Sequence, residues 1–231
     1  MGKVILNMGY GPQGAKGAPK RQSLKDKAYA YLKEKIIKCE FAPGMPLSER
    51  DLMEELGVSR TPIRDAINLL EQENLVRVYP QRGIFVEHIT VKDIQDIFMV
   101  RKVVEPLVTK LATLRIPDDV LEELDLLYQN LQPPIDPEKH MENDRRFHTT
   151  IAQFCDNRYL EQILVDAYDR NSRVRYLSLR SNIRLKEAIE EHKPIIKHLR
   201  NREAEAAGEA MLLHIIKAGQ VAEELLKLEY D

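Results

Sequence analysis

The sequence predicts a mainly α protein in two parts: three helices closed by a β-hairpin, then an all-α bundle of about six helices. Three observations carry this. Apolar residues recur at three- and four-residue spacing through most of the chain. One pair of β-branched and aromatic runs, Leu75–Tyr79 and Ile84–Val86, is joined by Pro80-Gln81-Arg82-Gly83. After Thr90 no further convincing strand appears. With 231 residues, 43% hydrophobic and 31% charged, the chain suits one large or two modest domains, and a disordered chain or a fibre is excluded. No apolar run approaches the roughly 20 residues that a bilayer demands. Asn7, Gln13 and Lys16 stand where a signal peptide needs its apolar stretch, so a cytoplasmic protein with no membrane partner is expected. Cys39 and Cys155 are too few and too far apart for a disulfide framework or a cysteine zinc site, and read as small buried hydrophobes in a reducing compartment.

Residues 1–22 hold five of the ten glycines and no acidic residue, which reads as a flexible N-terminal arm. From Ser23 the pattern changes, with Leu24, Ala28, Tyr31, Leu32, Lys35 and Ile36 marking an amphipathic helix that ends near Cys39. Pro43-Gly44 forces a turn. A second helix opens at Ser48, where the hydroxyl can cap free N–H groups and Asp51 approximates the partner of a capping box, and it runs to Leu56. Gly57 supplies the left-handed stop, Val58 can pack inward, and Ser59 can cap a third helix that carries Pro62 in its first turn and runs to about Asn74. Two short helices around a tight glycine turn make a helix-turn-helix, and the hairpin after them makes a wing. Residues 23–88 therefore read as a winged helix-turn-helix domain, and residues 89–231 as an all-helical domain. Helices in the second part are expected near 91–115, 117–131, 137–155, 158–180, 182–200 and 202–228, punctuated by Pro117, Pro133-Pro134, Pro137 and Asn157.

Net charge divides along the chain. Residues 1–88 hold 14 Lys+Arg against 11 Asp+Glu, a net of +3, and the remainder has a net of −5. This permits DNA binding in the front part without establishing it, because binding depends on where the cations sit. If Ser59 begins the second helix of the motif, Ile63, Ile67 and Leu70 form its inward stripe. Arg60, Thr61 and Arg64 then face outward. An arginine fork can bond guanine O6 and N7 together, while Ser59, Thr61 and the helix N-terminus suit phosphate oxygens. Arg50 on the preceding helix can reach backbone or base, and Arg82-Gly83 at the wing tip can enter the minor groove. Any one of these arginines taken alone also fits a solvated face with ordinary helix salt bridges.

The segments Pro43-Gly44, Leu47-Ser48-Glu49-Arg50-Asp51-Leu52, Leu56-Gly57-Val58-Ser59-Arg60-Thr61-Pro62-Ile63-Arg64-Asp65-Ala66 and Arg82-Gly83-Ile84-Phe85-Val86 resemble the GntR family of bacterial transcription regulators. The resemblance implies that Arg50, Ser59, Arg60, Thr61, Arg64 and Gly83 occupy DNA-contacting positions. It also implies a homodimer that binds short palindromic operators in double-stranded DNA. Asp65 stands where many members carry glutamate.

In the helical part, Asp144 and His148 are four apart and leave one helix face together, while His192 and His214 lie on two later helices; such groups can converge inside a bundle to hold one metal ion. Spacing alone favours the plainer reading, in which Asp144 and His148 are a cap or ion pair and the other histidines are surface residues. Arg101-Lys102-Val103-Val104-Glu105 with Leu111-Ala112, Asp144-Arg145-Arg146-Phe147-His148, Asn157, Glu191-His192 and His214 resemble the C-terminal ligand-binding (FCD) domain of the FadR-type GntR subfamily. There the matching aspartate and three histidines bind a divalent metal in many members, and the resemblance implies the same for Asp144, His148, His192 and His214. Three imidazoles and a carboxylate suit Zn²⁺ or Ni²⁺ better than Mg²⁺ or Ca²⁺. On a six-coordinate ion two positions stay open for water or a small carboxylate effector, for which Arg101, Arg173 and Arg175 are candidate counter-charges. His88, His140 and His198 receive no function, and Tyr29, Tyr31, Phe98, Phe147 and Phe154 read as core or interface residues.

The leading expectation is a metabolite-responsive transcription regulator, in the sense of a repressor, whose effector alters the placement of the DNA-binding domains. A second keeps DNA binding but makes the metal structural or the signal itself. A metal-dependent hydrolase is the third, disfavoured because no separate carboxylate base converges on the site. An acyl-coenzyme A effector, as in metal-free relatives, is disfavoured because all four metal positions are filled.

Overall fold

The computed structural model describes residues 23–129, 136–178 and 182–230. The predicted arm at 1–22 and the Pro133-Pro134 break lie outside the described residues. Helix α1 (Leu24–Ile37) opens on a capping box, with the Ser23 hydroxyl accepting from the Asp26 N–H and the Asp26 carboxylate accepting from the Ser23 N–H. Helix α2 (Glu49–Leu56) is capped by Ser48 and stopped by Gly57 at φ 63°. Helix α3 (Arg60–Gln72) buries Ile63, Ala66, Ile67 and Leu70 against Leu32 and Ile36 of α1.

Strands β2 (Val76–Tyr79) and β3 (Gly83–Val86) form the expected antiparallel wing, with Val78 opposite Ile84 and Tyr79 opposite Gly83. A further strand, β1 (Pro46–Leu47), pairs with the other edge of β3 and gives the order β1-β3-β2. Two residues are too short to show an alternating pattern, so this strand was not legible in the sequence. It ties the start of α2 to the wing, and with it the helix-turn-helix to the hairpin.

Beyond Thr90, which forms a second capping box with Asp93, the described chain is helical: α4 (Val91–Thr113), α5 (Asp118–Gln129), α6 (Pro137–Gln153), α7 (Arg158–Ser178), α8 (Asn182–Arg200) and α9 (Ala204–Tyr230). Each falls within two residues of its expected ends where those are described; the expected ends of α5 at 131 and α7 at 180 lie outside the described residues. A second hydrophobic core fills this bundle, with Phe98 and Val108 of α4, Leu124 of α5, Phe147 and Ile151 of α6, Ile195 of α8 and Ile215 of α9 among its members. The long α4 and α9 pack closely because Gly219 has no side chain where Phe98 lies; a Cβ there would sit 3.0 Å from the ring.

The two cores meet where α1 approaches α7. Arg173 of α7 donates from Nη2 to the carbonyl of Glu87, just past β3, and Lys38 lies 3.5 Å from Glu138 of α6. Gly44 sits at the same junction at φ 79°, and a Cβ there would come 2.7 Å from the His88 ring. Strain at a left-handed position and a clash with the linker act together, so Gly44→Ala is expected to cost about 1–3 kcal/mol. Thermal unfolding would then show a lowered midpoint, and a midpoint equal to wild type would contradict the packing described.

Candidate DNA interface and metal centre

On the front domain the predicted residues are all exposed. Arg60 and Arg64 leave α3 one turn apart, and both reach Glu49 at the start of α2: Arg64 Nε donates to Oε1 at 2.8 Å, and Arg60 Nε lies 3.3 Å from Oε2. Arg50 pairs with Glu54 at 3.0 Å on α2. Exposed pairs of this kind contribute little stability, but they hold the guanidinium groups in place and give way readily to phosphate or a base edge. Ser59 occupies the N-cap of α3 without making a side-chain cap. The reason is Pro62. It stands at the third helical position, whose N–H a serine cap commonly bonds, and proline has none. The Ser59 hydroxyl and the helix N-terminus are thus turned outward together, beside exposed Thr61. Arg82 and Gly83 sit at the wing tip, where Gln81 at φ 63° and Gly83 at φ 107° form the turn.

Within the bundle, Asp144 and His148 of α6, His192 of α8 and His214 of α9 converge, all buried, with one donor atom from each within 4.8 Å of the others. His192 Nε2 lies 3.3 Å from both His148 Nε2 and Asp144 Oδ1, and His148 Nε2 lies 3.8 Å from Asp144 Oδ1. The opposite ring nitrogens fix the tautomers. His192 Nδ1 donates to the Ala188 carbonyl at 2.6 Å, His214 Nδ1 to Glu191 Oε2 at 2.8 Å, and His148 Nδ1 lies 2.8 Å from Glu105 Oε2. The Nδ1 atoms of His192 and His214 carry the proton toward these acceptors and turn Nε2 inward, while His148 Nδ1 lies close to Glu105 without a formed hydrogen bond, so that imidazole nitrogens and a carboxylate oxygen crowd one another. That arrangement is repulsive by itself and fits a cation at its centre, with each imidazole oriented from behind as in metal sites. Tyr128 stacks on His192 at 4.5 Å and Phe147 meets it edge-on at 4.7 Å, which keeps the ring in place.

The surroundings carry charge in matched pairs. Arg175 Nη2 bonds Asp144 Oδ2 at 2.7 Å, so one carboxylate oxygen is held by arginine while the other faces the imidazoles. Burial works to raise the Asp144 carboxyl, but Arg175 and then the neighbouring histidines outweigh it and keep the group well below the usual carboxylate range. Arg101 pairs with Glu105 and donates to the Tyr168 hydroxyl at 2.6 Å, its guanidinium lying between the Phe98 and Tyr168 rings. Burial would raise Glu105 as well; Arg101 and His148 bring it down to about 2.

A cavity of about 80 Å³ opens on this centre, lined in part by Asp144, His214, Arg101, Arg175, His140 and Asn171. Arg173, the third arginine expected to meet an effector, is not among its lining residues and points to Glu87 instead. His140 and Asn171 were not singled out from the sequence, since a buried polar residue on a helix carries no periodic signature. Glu105 and Glu191 were legible only as neighbours in matched motifs. His198 pairs with exposed Glu203 away from the centre, and Cys155 is buried while Cys39 is half-buried at the junction.

A winged helix-turn-helix with an arginine-bearing recognition helix, joined to a helical domain around a buried histidine cluster, defines a DNA-binding transcription regulator. The comparisons place it further. Residues 24–86 match the model for bacterial regulatory proteins of the gntR family, and residues 96–217 match the FCD domain. The chain belongs to the GntR family, with the FadR-type FCD architecture. It is 30% identical over 196 residues to the uncharacterized HTH-type transcriptional regulator YdhC of Bacillus subtilis (strain 168), covering 80% of this chain and 85% of that one. It is 27% identical over 216 residues to the HTH-type transcriptional repressor RspR of Escherichia coli (strain K12), covering 91% and 93%. The crystal structure of a putative GntR regulator from Rhodococcus sp. RHA1 shares the fold, with a TM-score of 0.73 at 23% identity over 88% of this chain and 97% of that one. These are regulators rather than enzymes, which removes the hydrolase reading. No helix among the described residues is long and apolar enough to cross a membrane.

The buried centre also sets a pH response. Burial lowers the pKa of His148 below 6.5, against Glu105, and burial with His192 brings His214 down to about 3. The unfolded chain therefore binds more protons than the native one below about pH 6.5, so stability from these groups is full above that value and declines as pH falls. Glu105 and Asp144, with lowered values, add loss in the same direction below about 4.5. The melting midpoint of chelator-treated protein is expected to fall from pH 7 to pH 5, and a flat or rising midpoint would contradict this.

Proposed function

We propose that this protein is a metabolite-responsive repressor that binds a palindromic operator as a homodimer and senses a small carboxylate at a Zn²⁺- or Ni²⁺-type centre. The observation that carries the sensing half is the set of three Nε2 atoms and Asp144 Oδ1 facing one another in a buried site, each imidazole held from behind. Asp144, His148, His192 and His214 would hold the ion, which when bound supplies positive charge and open coordination positions to a ligand. Arg101 is neutralised by Glu105 and Arg175 by Asp144, so those four groups add no net charge. A divalent cation then leaves the cavity positive, and its complement is an anion. Room of about 80 Å³, at roughly 10–15 Å³ for each water-sized position, suits an acid of about five to eight non-hydrogen atoms.

For the DNA half, Arg50, Ser59, Arg60, Thr61, Arg64, Arg82 and Gly83 are the assigned contacts. Arg60 and Arg64 read base edges in the major groove, Ser59 and Thr61 bind phosphate, and the wing tip enters the minor groove. Dimerisation is supported by the outer face of α4 and its C-cap, where Met99, Val103, Leu107 and, at the cap, Leu114 are 66%, 68%, 46% and 71% exposed. A two-fold dimer matches a palindromic site in the cytoplasm, where operators lie. Coupling between the sites runs through α7, which carries Arg175 at the cavity and Arg173 on the Glu87 carbonyl beside the wing. An effector that shifts α7 would alter the hold on the DNA-binding domain.

Two measurements check this reading. Arg60→Ala and Arg64→Ala are each expected to weaken operator binding about 10- to 100-fold with unchanged metal content, and retained sequence preference in both would refute the recognition surface. A thermal-shift panel of small mono-, di- and tricarboxylates, run on metal-loaded and chelated protein, is expected to show stabilisation by an acid only in the loaded form. No shift across the panel, with metal still needed for stability or for operator binding, would favour a structural or directly sensed ion.

A further inference from the structure

The α7 residue Asn171 is fully buried, lines the cavity beside Asp144, Arg101 and Arg175, and presents an amide whose Nδ2 and Oδ1 both bond no protein group. Its turn of helix is otherwise committed: Tyr168 bonds Arg101 and Glu105, and Arg175 bonds Asp144 and the Met141 carbonyl. A buried amide with neither end matched is costly unless something in the cavity completes it. Both atoms stand unmatched, so either orientation of the amide leaves one donor group and one acceptor unsatisfied.

We propose that Asn171 is a specificity-determining residue that selects carboxylates bearing a hydroxyl group, the amide oxygen accepting from the ligand O–H and the amide N–H donating to its oxygen. This deepens, and rests on, the carboxylate-sensing reading above. A carboxylate alone can only accept, so it satisfies Nδ2 and leaves Oδ1 unmatched; a plain alkyl acid satisfies the anion requirement and sets a methylene against the amide. A hydroxyl serves both ends, because it donates and accepts through one oxygen. The room beside the amide is modest, about 80 Å³, which makes short hydroxy acids of three or four carbons the first to test.

The test is titration calorimetry on full-length, Zn²⁺-loaded protein with matched acids: propanoate against 2- and 3-hydroxypropanoate, and butanoate against its 2- and 3-hydroxy forms. Wild type is expected to bind at least one hydroxy acid roughly tenfold or more tightly than its unsubstituted partner. Asn171→Leu, near-isosteric at a side chain that bonds no protein group, is expected to keep its metal content while the hydroxy acid loses its advantage over the plain acid, whatever the variant's affinity for the plain acid. Equal affinity within every pair in wild type overturns the proposal and leaves carboxylate sensing standing. A preference that survives in Asn171→Leu also overturns it, by assigning hydroxyl selection to the metal. Absence of binding by any acid, loaded or chelated, overturns both the proposal and the sensing reading beneath it. Should Asn171→Leu fail to fold, Asn171→Ala carries the same comparison, with loss of the preference expected and its survival overturning the proposal.

Discussion

The structure of the helical domain turns on four acceptor atoms brought together where water is largely excluded. Nε2 of His148 and of His192 and Oδ1 of Asp144 stand 3.3–3.8 Å from one another, with a ligand atom of His214 within 4.8 Å, and so dense a set of acceptors fits a positive charge among them. Neighbouring side chains hold the set in place. Tyr128 and Phe147 hold His192, Glu105 braces His148 from α4, and Glu191 braces His214 across the α8–α9 interface. Arg101 and Arg175 then answer the carboxylates that this bracing buries. An apolar core of equal volume would be simpler to stabilise, so a buried polar cluster of this kind stands out as a candidate site.

The DNA-binding surface follows a contrasting rule, in which strength comes from exposure. Glu49 gathers Arg60 and Arg64 through pairs that solvent screens, so the arginines are oriented in the free protein and released at small cost. Pro62 performs a related service for Ser59. By removing the N–H that a cap would occupy, it leaves the hydroxyl at the helix N-terminus facing outward.

Between these two surfaces α7 is the shared element. Asn171 and Arg175 face the cavity and Tyr168 holds Arg101 beside it, while Arg173 grips the backbone at Glu87. The helix thereby links the cavity and the domain junction through one rigid element.

Helical periodicity, cap residues and turn residues placed the described elements within about two residues, because each of these signals is local and the chain obeys them almost everywhere. Only β1 escaped, being two residues long and defined by its partner in β3. The family motifs contained Asp144, His148, His192 and His214, and the helix spacing made their convergence geometrically available, but spacing by itself favoured a trivial ion pair. Tertiary structure decided what no local signal holds: which nitrogen of each ring faces inward, that Arg173 belongs to the domain junction while Arg175 belongs to the cavity, and that Asn171 is buried with its amide unmatched. Those facts depend on side chains from helices far apart in sequence meeting at one point, and a one-dimensional pattern carries the faces of helices but not the angles and depths at which they pack.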